Sequence, residues 1–398
     1  MAEGENLCPC ANVITAMRLL PLILVVFLWG CPGGKTSGNT PKPATPNTPK
    51  LKVTLLRTDL GLGDGDLVRD ADDTLHKLDQ QGDIEYAPVG DLPEAMVNEG
   101  GSGDIGLPDA ERPPGSKPVG LMKGAEVEEL ANQIDDAEVV ICSNSIVANS
   151  VLKQAAAAKG KLGAIIVLDD VGPKLEAAPS GTTVSVFKYD VKEAAYLLGV
   201  AAGFSSRSQA FAMFTSTTDP NADTLYKAFV NGMHNPMTGG NVYHEAVTPD
   251  ADDIVLPADF TRAFESIMSD PNRKIDHFVV FCGRATPSIM YGLSSKPTNG
   301  YLLGGYGDFT QVRPARVVGC IVKHPGLGLK RLFEGARSLK ELQDQLAQGI
   351  TLTFKEGAVN LTDFNAYANY NQDAEKIAEG VKTARSQIEG GEIDVMQE

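Results

Sequence analysis

The sequence predicts an α/β protein of two lobes, each a mainly parallel sheet flanked by helices. Three observations predict it. Short apolar runs rich in Val, Ile and Phe alternate with amphipathic helical segments from residue 51 onward. The alternation restarts after a central stretch, Val184 to Gly203 (VSVFKYDVKEAAYLLGVAAG), in which a strand and a polar turn feed a helix of small residues. The chain's 398 residues also suit two domains of about 100–200 residues each.

The ends and the charge set limits on partners. A formal net charge of -16 argues against a nucleic-acid partner, which would need a basic footprint, and an anionic membrane surface would repel the body. Solubility alone is the plainer reading of that charge. Arg18 precedes the apolar run Leu19 to Leu28, which is shorter than the roughly 20 residues that span a bilayer and reads as a signal-peptide core. Leu28-Trp29-Gly30-Cys31 resembles a bacterial lipobox, with Cys31 the lipidated residue; Met17 would open a signal of usual length, MRLLPLILVVFLWGC. Residues 1–31 are therefore read as a signal peptide with its lipobox cysteine. The Gly-, Pro- and Thr-rich residues 32–50 are read as a flexible tether, because they cannot bury enough surface to order themselves. The expected setting is a bacterial cell envelope, with the body lipid-anchored to a membrane. Cys142, Cys282 and Cys320 each sit in an apolar strand-like run and read as buried thiols.

The elements follow in order. Val53 to Arg57 is a strand, and a helix runs from the loop Thr58–Gly65 to about Leu78. Ile84 to Pro88 is a strand, and Gly100 to Gly120 is a Gly- and Pro-dense loop. Helices over Ala125–Ile134 and Ile146–Lys159 alternate with strands over Glu138–Cys142 and Gly163–Leu168. Val184 to Phe187 is the next strand, Asp190 is positioned to cap a helix, and the small residues to Gly203 let that helix approach its sheet. Strands follow at Ala210–Phe214, Val242–Ala246, Ile275–Phe281, Tyr301–Gly304 and Val317–Lys323. Between them lie helices at Asp223–Met233, Phe260–Ser269 and Pro287–Leu293. A long helix over Leu327–Leu346, a hairpin of Thr351–Phe354 with Val359–Leu361 around Glu356-Gly357, and a helix over Asp373–Glu389 close the chain.

Residues 51 to 395 resemble the basic membrane protein family of bacterial lipoproteins. The resemblance lies in Phe187-Lys188 through Glu193-Ala194-Ala195-Tyr196-Leu197-Leu198-Gly199, in LTFKEGAVNL at Leu352 to Leu361, and in Gly391-Glu392-Ile393. It implies the type I periplasmic-binding-protein fold, with two lobes joined by three crossovers near Val186–Asp190, Gly305–Asp308 and Phe354–Gly357. The N-terminal lobe is then 51–186 with 308–354, and the C-terminal lobe 187–307 with 355–398. It also implies a purine-nucleoside-binding receptor that serves an ABC transporter permease, without a cofactor. Lobes hinged by a few short segments close on a small ligand and exclude water from its polar contacts.

The family's binding positions carry over one at a time. In TDLGLGDGDLVRD, Asp59, Gly61 and Asp64 match the family's first ligand loop, whereas Val68 stands where a base-stacking aromatic is expected and Arg69 where an Asn is expected. Asp219 matches in the loop FTSTTDPNADTLYKAFVNG, and Tyr226 offers a ring face. Gly304-Gly305-Tyr306 replaces the family's Gly-Val-Asp, so a hydroxyl stands in for the ribose-holding carboxylate, with Asp308 two residues on. Lys323 matches a lysine of the cleft wall. Asp59 and Asp64 also follow the first strand, at the carboxyl end where α/β sheets bind ligands. Against these readings, Tyr226 and Tyr306 suit core packing, and the run Asp64, Asp66, Asp70, Asp72, Asp73 suits a solvated helix start favoured by the dipole.

Other function classes fit less well. Gly61-x-Gly63-x-Gly65 places its third glycine one residue early for a dinucleotide fingerprint, with Asp64 and Asp66 against the pyrophosphate. The same cluster lacks the ligand order of a calcium loop. Neither H-E-x-x-H nor G-x-S-x-G occurs, and the five histidines are scattered without metal spacing, so neither catalysis nor a metal site is expected. A lipid-anchored sensor or interaction domain of the same fold is the alternative function.

Overall fold

The computed structural model describes residues 50–58, 64–91, 124–134, 136–157, 162–169, 173–237, 239–249, 257–295, 300–310 and 313–397. The signal peptide, Cys31, the tether up to residue 49, Asp59, Gly61 and the Gly100–Gly120 loop lie outside them. Residues Thr48–Glu398 form one compact unit.

Two six-stranded sheets organise that unit. The first contains β1 (Leu51–Leu55), β2 (Ile84–Tyr86), β3 (Val139–Cys142), β4 (Ala164–Val167), β5 (Thr183–Asp190) and β11 (Ile350–Thr353), in the order β11-β5-β4-β3-β1-β2. Every pairing in it is parallel. The second contains β6 (Ala210–Ser216), β7 (Asn241–Val247), β8 (His277–Phe281), β9 (Tyr301–Gly305), β10 (Val317–Lys323) and β12 (Val359–Leu361), in the order β12-β10-β9-β8-β6-β7. Here only the β10–β12 pairing is antiparallel. Strands such as VVIC and AIIV are buried throughout, the pattern of parallel strands covered by helices on both faces. The fold is therefore the two-lobed, doubly layered α/β arrangement that the alternation predicts.

The chain passes between the lobes at three places. After β5 it enters α4 (Lys192–Ser205), which packs on α5 (Ala222–His234) and on α11 (Ala374–Glu389) in the second lobe. After β10 it enters α8 (Pro325–Gly335), which packs on α1 (Asp64–Gln81) in the first lobe. The third passage joins β11 to β12. The second passage thus falls at Lys323–Pro325, not at Gly305–Asp308 as the resemblance implied. The reason is strand pairing: Ile321 is in register with Gly305, and Tyr306 N donates to Ile321 O at 2.8 Å, so β10 stays in the second sheet.

Other local expectations change for local reasons. The segment expected as one helix over 327–346 is two, α8 and α9 (Leu339–Ala347), because Ser338 takes an extended conformation and its side chain accepts from Glu341 N. β11 and β12 do not pair with each other, since each joins a different sheet. Asp190 does not cap α4: Val191 holds that position, and Asp190 accepts from Lys192 Nζ at 2.8 Å. The acidic start of α1 is only in part a solvated face: Asp73 is exposed, but two of its neighbours are engaged. Asp72 is buried and takes the Arg57 guanidinium on both oxygens at 2.9 Å, while Asp70 accepts from Gly326 N at 2.7 Å and so ties α1 to the first turn of α8. Cys142, Cys282 and Cys320 are all buried. Among the described residues no helix is long and apolar enough to cross a membrane.

Candidate functional site

The carboxyl ends of the two sheets' strands face each other, and polar residues that the sequence places just past those ends are buried there. From the first sheet come Thr58 after β1, Ser143 and Asn144 after β3, Asp169 after β4, and Tyr189 near the end of β5. From the second come Ser216 and Asp219 at and after β6, Tyr306 after β9, and Lys323 at the end of β10. Strand ends leave backbone groups and short polar side chains converging where no further strand covers them, which is why open α/β sheets bind ligands at this edge.

Lys323 is the centre of the group. Its ammonium donates to Asp169 Oδ1 of the opposite lobe at 2.8 Å, and its side chain is fully covered. It also lies 3.8 Å from the centroid of the Tyr306 ring and 4.7 Å from that of Tyr189. Tyr189 OH donates to Leu168 O at 2.6 Å, which holds that ring beside the strand carrying Asp169. Tyr306 has φ of 71°, a left-handed backbone that turns its side chain back across the second lobe, where its hydroxyl donates to Asp219 Oδ2 at 2.9 Å. Asp219 Oδ1 accepts from Asn221 N at 2.8 Å. Burial pushes the Asp219 carboxyl above its usual range; the Asn221 amide, the Lys323 charge and the Tyr306 hydroxyl oppose this, and the Asp169 charge adds to it.

A second contact between the lobes lies beside the first. Asp66 of α1 accepts from Asp308 N at 3.1 Å, and Asp308 Oδ1 in turn accepts from Thr310 N at 2.9 Å. Burial raises the Asp66 carboxyl, with the Asp308 charge adding to the effect. Next to them, Asp70 raises the His324 imidazole across 3.6 Å.

The structure therefore brings Asp219, Tyr306 and Lys323 into one cluster and places Asp308 at the adjoining contact. Tyr226 is elsewhere: it stacks on His244 of β7, with ring centroids 4.9 Å apart and planes 28° apart. Asp64 opens α1, and Asp59 and Gly61 fall outside the described residues. Val68, at the position of the expected aromatic, is fully buried core. The sequence reading missed Asp169, Tyr189 and Asp66. Asp169 was within reach, because it follows a strand as directly as Asp59 does. Asp66 was hidden by its acidic neighbours, which suit a helix start.

No protein-family model and no curated protein matches the chain. Solved structures similar to it include an ABC transporter system solute-binding protein from Aeropyrum pernix K1, with 12% identity over 87% of this chain and 93% of that one, at a TM-score of 0.49. A transcriptional activator of the comK gene from Bacillus halodurans has 13% identity over 86% of this chain and 98% of that one, at a TM-score of 0.48. An ABC transporter periplasmic solute-binding protein from Actinobacillus succinogenes 130z, with bound D-allose, has 13% identity over 81% of this chain and 100% of that one, at a TM-score of 0.43.

Proposed function

We propose that this chain is a solute-binding receptor whose lobes close on a small polar ligand and present it to an ABC transporter, tethered to the cell envelope through a lipid on Cys31. The observation that carries the reading is the buried polar cluster at the facing strand ends, to which both lobes contribute. Asp169 and Lys323 meet across the two lobes, and Asp219 and Tyr306 lie within the same cluster. Three chain passages leave the lobes free to hinge. The mechanism is closure without bond chemistry: water leaves the polar cluster as the ligand enters, and the contacts strengthen in the drier site. A nucleoside is the ligand class that the family resemblance supplies. Lys323 would donate to it and Tyr306 would offer it a hydroxyl, while Asp59 and Asp64 would accept from its donors.

The self-paired state of the cluster favours a second reading, a sensor or interaction domain of the same fold, because Lys323 and Asp219 already have protein partners. A thermal-shift screen separates the two. The full-length chain in mild detergent is melted alone and with nucleosides, free bases, sugars and amino acids. A ligand at a hundred times its dissociation constant stabilises the folded state by about 2.7 kcal/mol, a rise of roughly 3–4 °C for a chain of this size. The receptor reading expects such a rise with at least one class, and purine nucleosides head the panel. A flat response across all classes would remove it and leave the sensor reading.

A further inference from the structure

Two polar atoms beside the strand ends are out of contact with water and have no hydrogen-bond partner: Ser145 Oγ and Asn221 Nδ2. Ser145 is only 7% exposed and is the first residue of α3 (Ser145–Ala157), directly past β3. Its hydroxyl is not needed as a cap, because Asn144 Oδ1 already accepts from Ile146 N at 3.0 Å and Val147 N at 3.2 Å. Asn221 immediately precedes α5, past β6 of the other lobe, and its side chain makes no capping bond there. Its backbone N–H goes to Asp219, so only the side-chain amide is left over. Buried polar groups in folded proteins are paired, and those that are not call for a specific explanation. Here the two stand one in each lobe, at the carboxyl edge of each sheet and at the start of a helix whose dipole favours an incoming acceptor.

The charges nearby point to the ligand's chemistry. Lys323 is matched by Asp169, and Asp219 by the Tyr306 hydroxyl and the Asn221 amide, so the formal charges of the cluster are answered inside the protein. Glu193 Oε2, another buried atom without a hydrogen-bond partner, sits in the first turn of α4, where the Lys192 and Lys355 charges act on it. What Ser145 and Asn221 add are neutral donors. We propose that these two residues are further, neutral donors, one from each lobe, that hold the captured solute beside Lys323 and Tyr306, and that the groups they hold are uncharged oxygen acceptors. This inference rests on the receptor reading above.

The test compares two uncharged probes, D-ribose and inosine, with their charged counterparts, D-ribose 5-phosphate and inosine 5′-monophosphate. Each is titrated calorimetrically into the full-length chain and into Ser145→Ala and Asn221→Ala. Binding of an uncharged probe is expected, weakened about tenfold by each substitution. Each variant without ligand should melt at or above the wild-type temperature, since it loses a buried group that has no partner. A fall of the unliganded melting temperature by more than about 4 °C would show that the atom serves the fold, and would overturn the assignment for that residue. Unchanged affinity in both variants, or preference for the phosphorylated probes, would overturn the proposal while leaving the receptor intact. A wild type that binds none of the four would remove the receptor reading for these ligands and the proposal with it.

Discussion

Asp276 shows how a single residue in this fold imitates chemistry without performing it. Ser205 Oγ lies 2.8 Å from His277 Nε2, and His277 Nδ1 lies 2.7 Å from Asp276 Oδ1, the connectivity of a hydrolase triad. Yet His277 is fully buried at the amino end of β8, away from the strand ends that carry the polar cluster. The Ser205 hydroxyl is directed at the Ala201 and Ala202 carbonyls, at 2.9 and 3.1 Å, and so is not poised as a nucleophile. The group ties the end of α4 to β8. Burial alone would raise the Asp276 carboxyl, but the His277 hydrogen bond and charge, with the Ser208 and Arg207 amides, hold it well below its ordinary 3.8. A depressed carboxylate stabilises the fold above its unfolded pKa, and that contribution is lost as pH falls through the folded one. Asp276→Asn should therefore cost about 2 kcal/mol at pH 7 and flatten the loss of stability below pH 4. Urea unfolding at pH 7 and pH 3 measures both; an acid limb as steep as the wild type's would rule out this residue as its source.

Between elements, the closest approach is helix on helix. The small residues of α4 suggested close packing on a sheet, but the tight contact is with α5. A Cβ on Gly199 would come 2.1 Å from Phe229 O, and one on Gly232 would come 1.9 Å from Tyr196 O. Both are backbone atoms that cannot swing aside. Gly199→Ala or Gly232→Ala must therefore push the helices apart, although alanine favours a helix by about 1 kcal/mol over glycine. A net loss of about 3 kcal/mol is expected for each, the upper end of overpacking. Equilibrium denaturation reads it directly, and a variant as stable as the wild type would mean that the two helices have room to separate. This contact lies on the lobe that the chain enters at the first passage, so loosening it also loosens the hinge end of α4.

At the scale of the whole molecule, the Lys323–Asp169 pair joins lobes through residues 154 positions apart. Both side chains are buried, Lys323 completely, so each partner depends on the other to offset its desolvation. Lys323→Met or Asp169→Leu alone should cost about 3–5 kcal/mol by leaving a buried charge unpaired, whereas the double substitution should come close to the wild type. A double-mutant cycle in urea checks this. Additive losses would mean that the two groups are solvated independently and that the lobes are not latched by them.

The order of strands and helices was legible in the sequence, because periodicity and turn residues act over a few neighbours. Val139–Cys142 and Ala164–Val167 declare themselves as buried parallel strands by being apolar throughout. The break at Ser338 was missed, because the apolar period runs on through it, although Ser338 and Glu341 spell a helix start. The edge where polar residues gather followed from strand direction, which pointed to Asp59 and Asp64, whereas Asp219, Tyr306 and Lys323 could be named only through what the family resemblance implies. The sequence by itself thus determined the class of fold and the order of its strands and helices. Only the tertiary structure decided that β10 stays in the second sheet, that Tyr226 stacks on His244, and that Asp169 answers Lys323. Each of those is a choice between distant partners of similar local chemistry, and packing of the assembled lobes makes that choice.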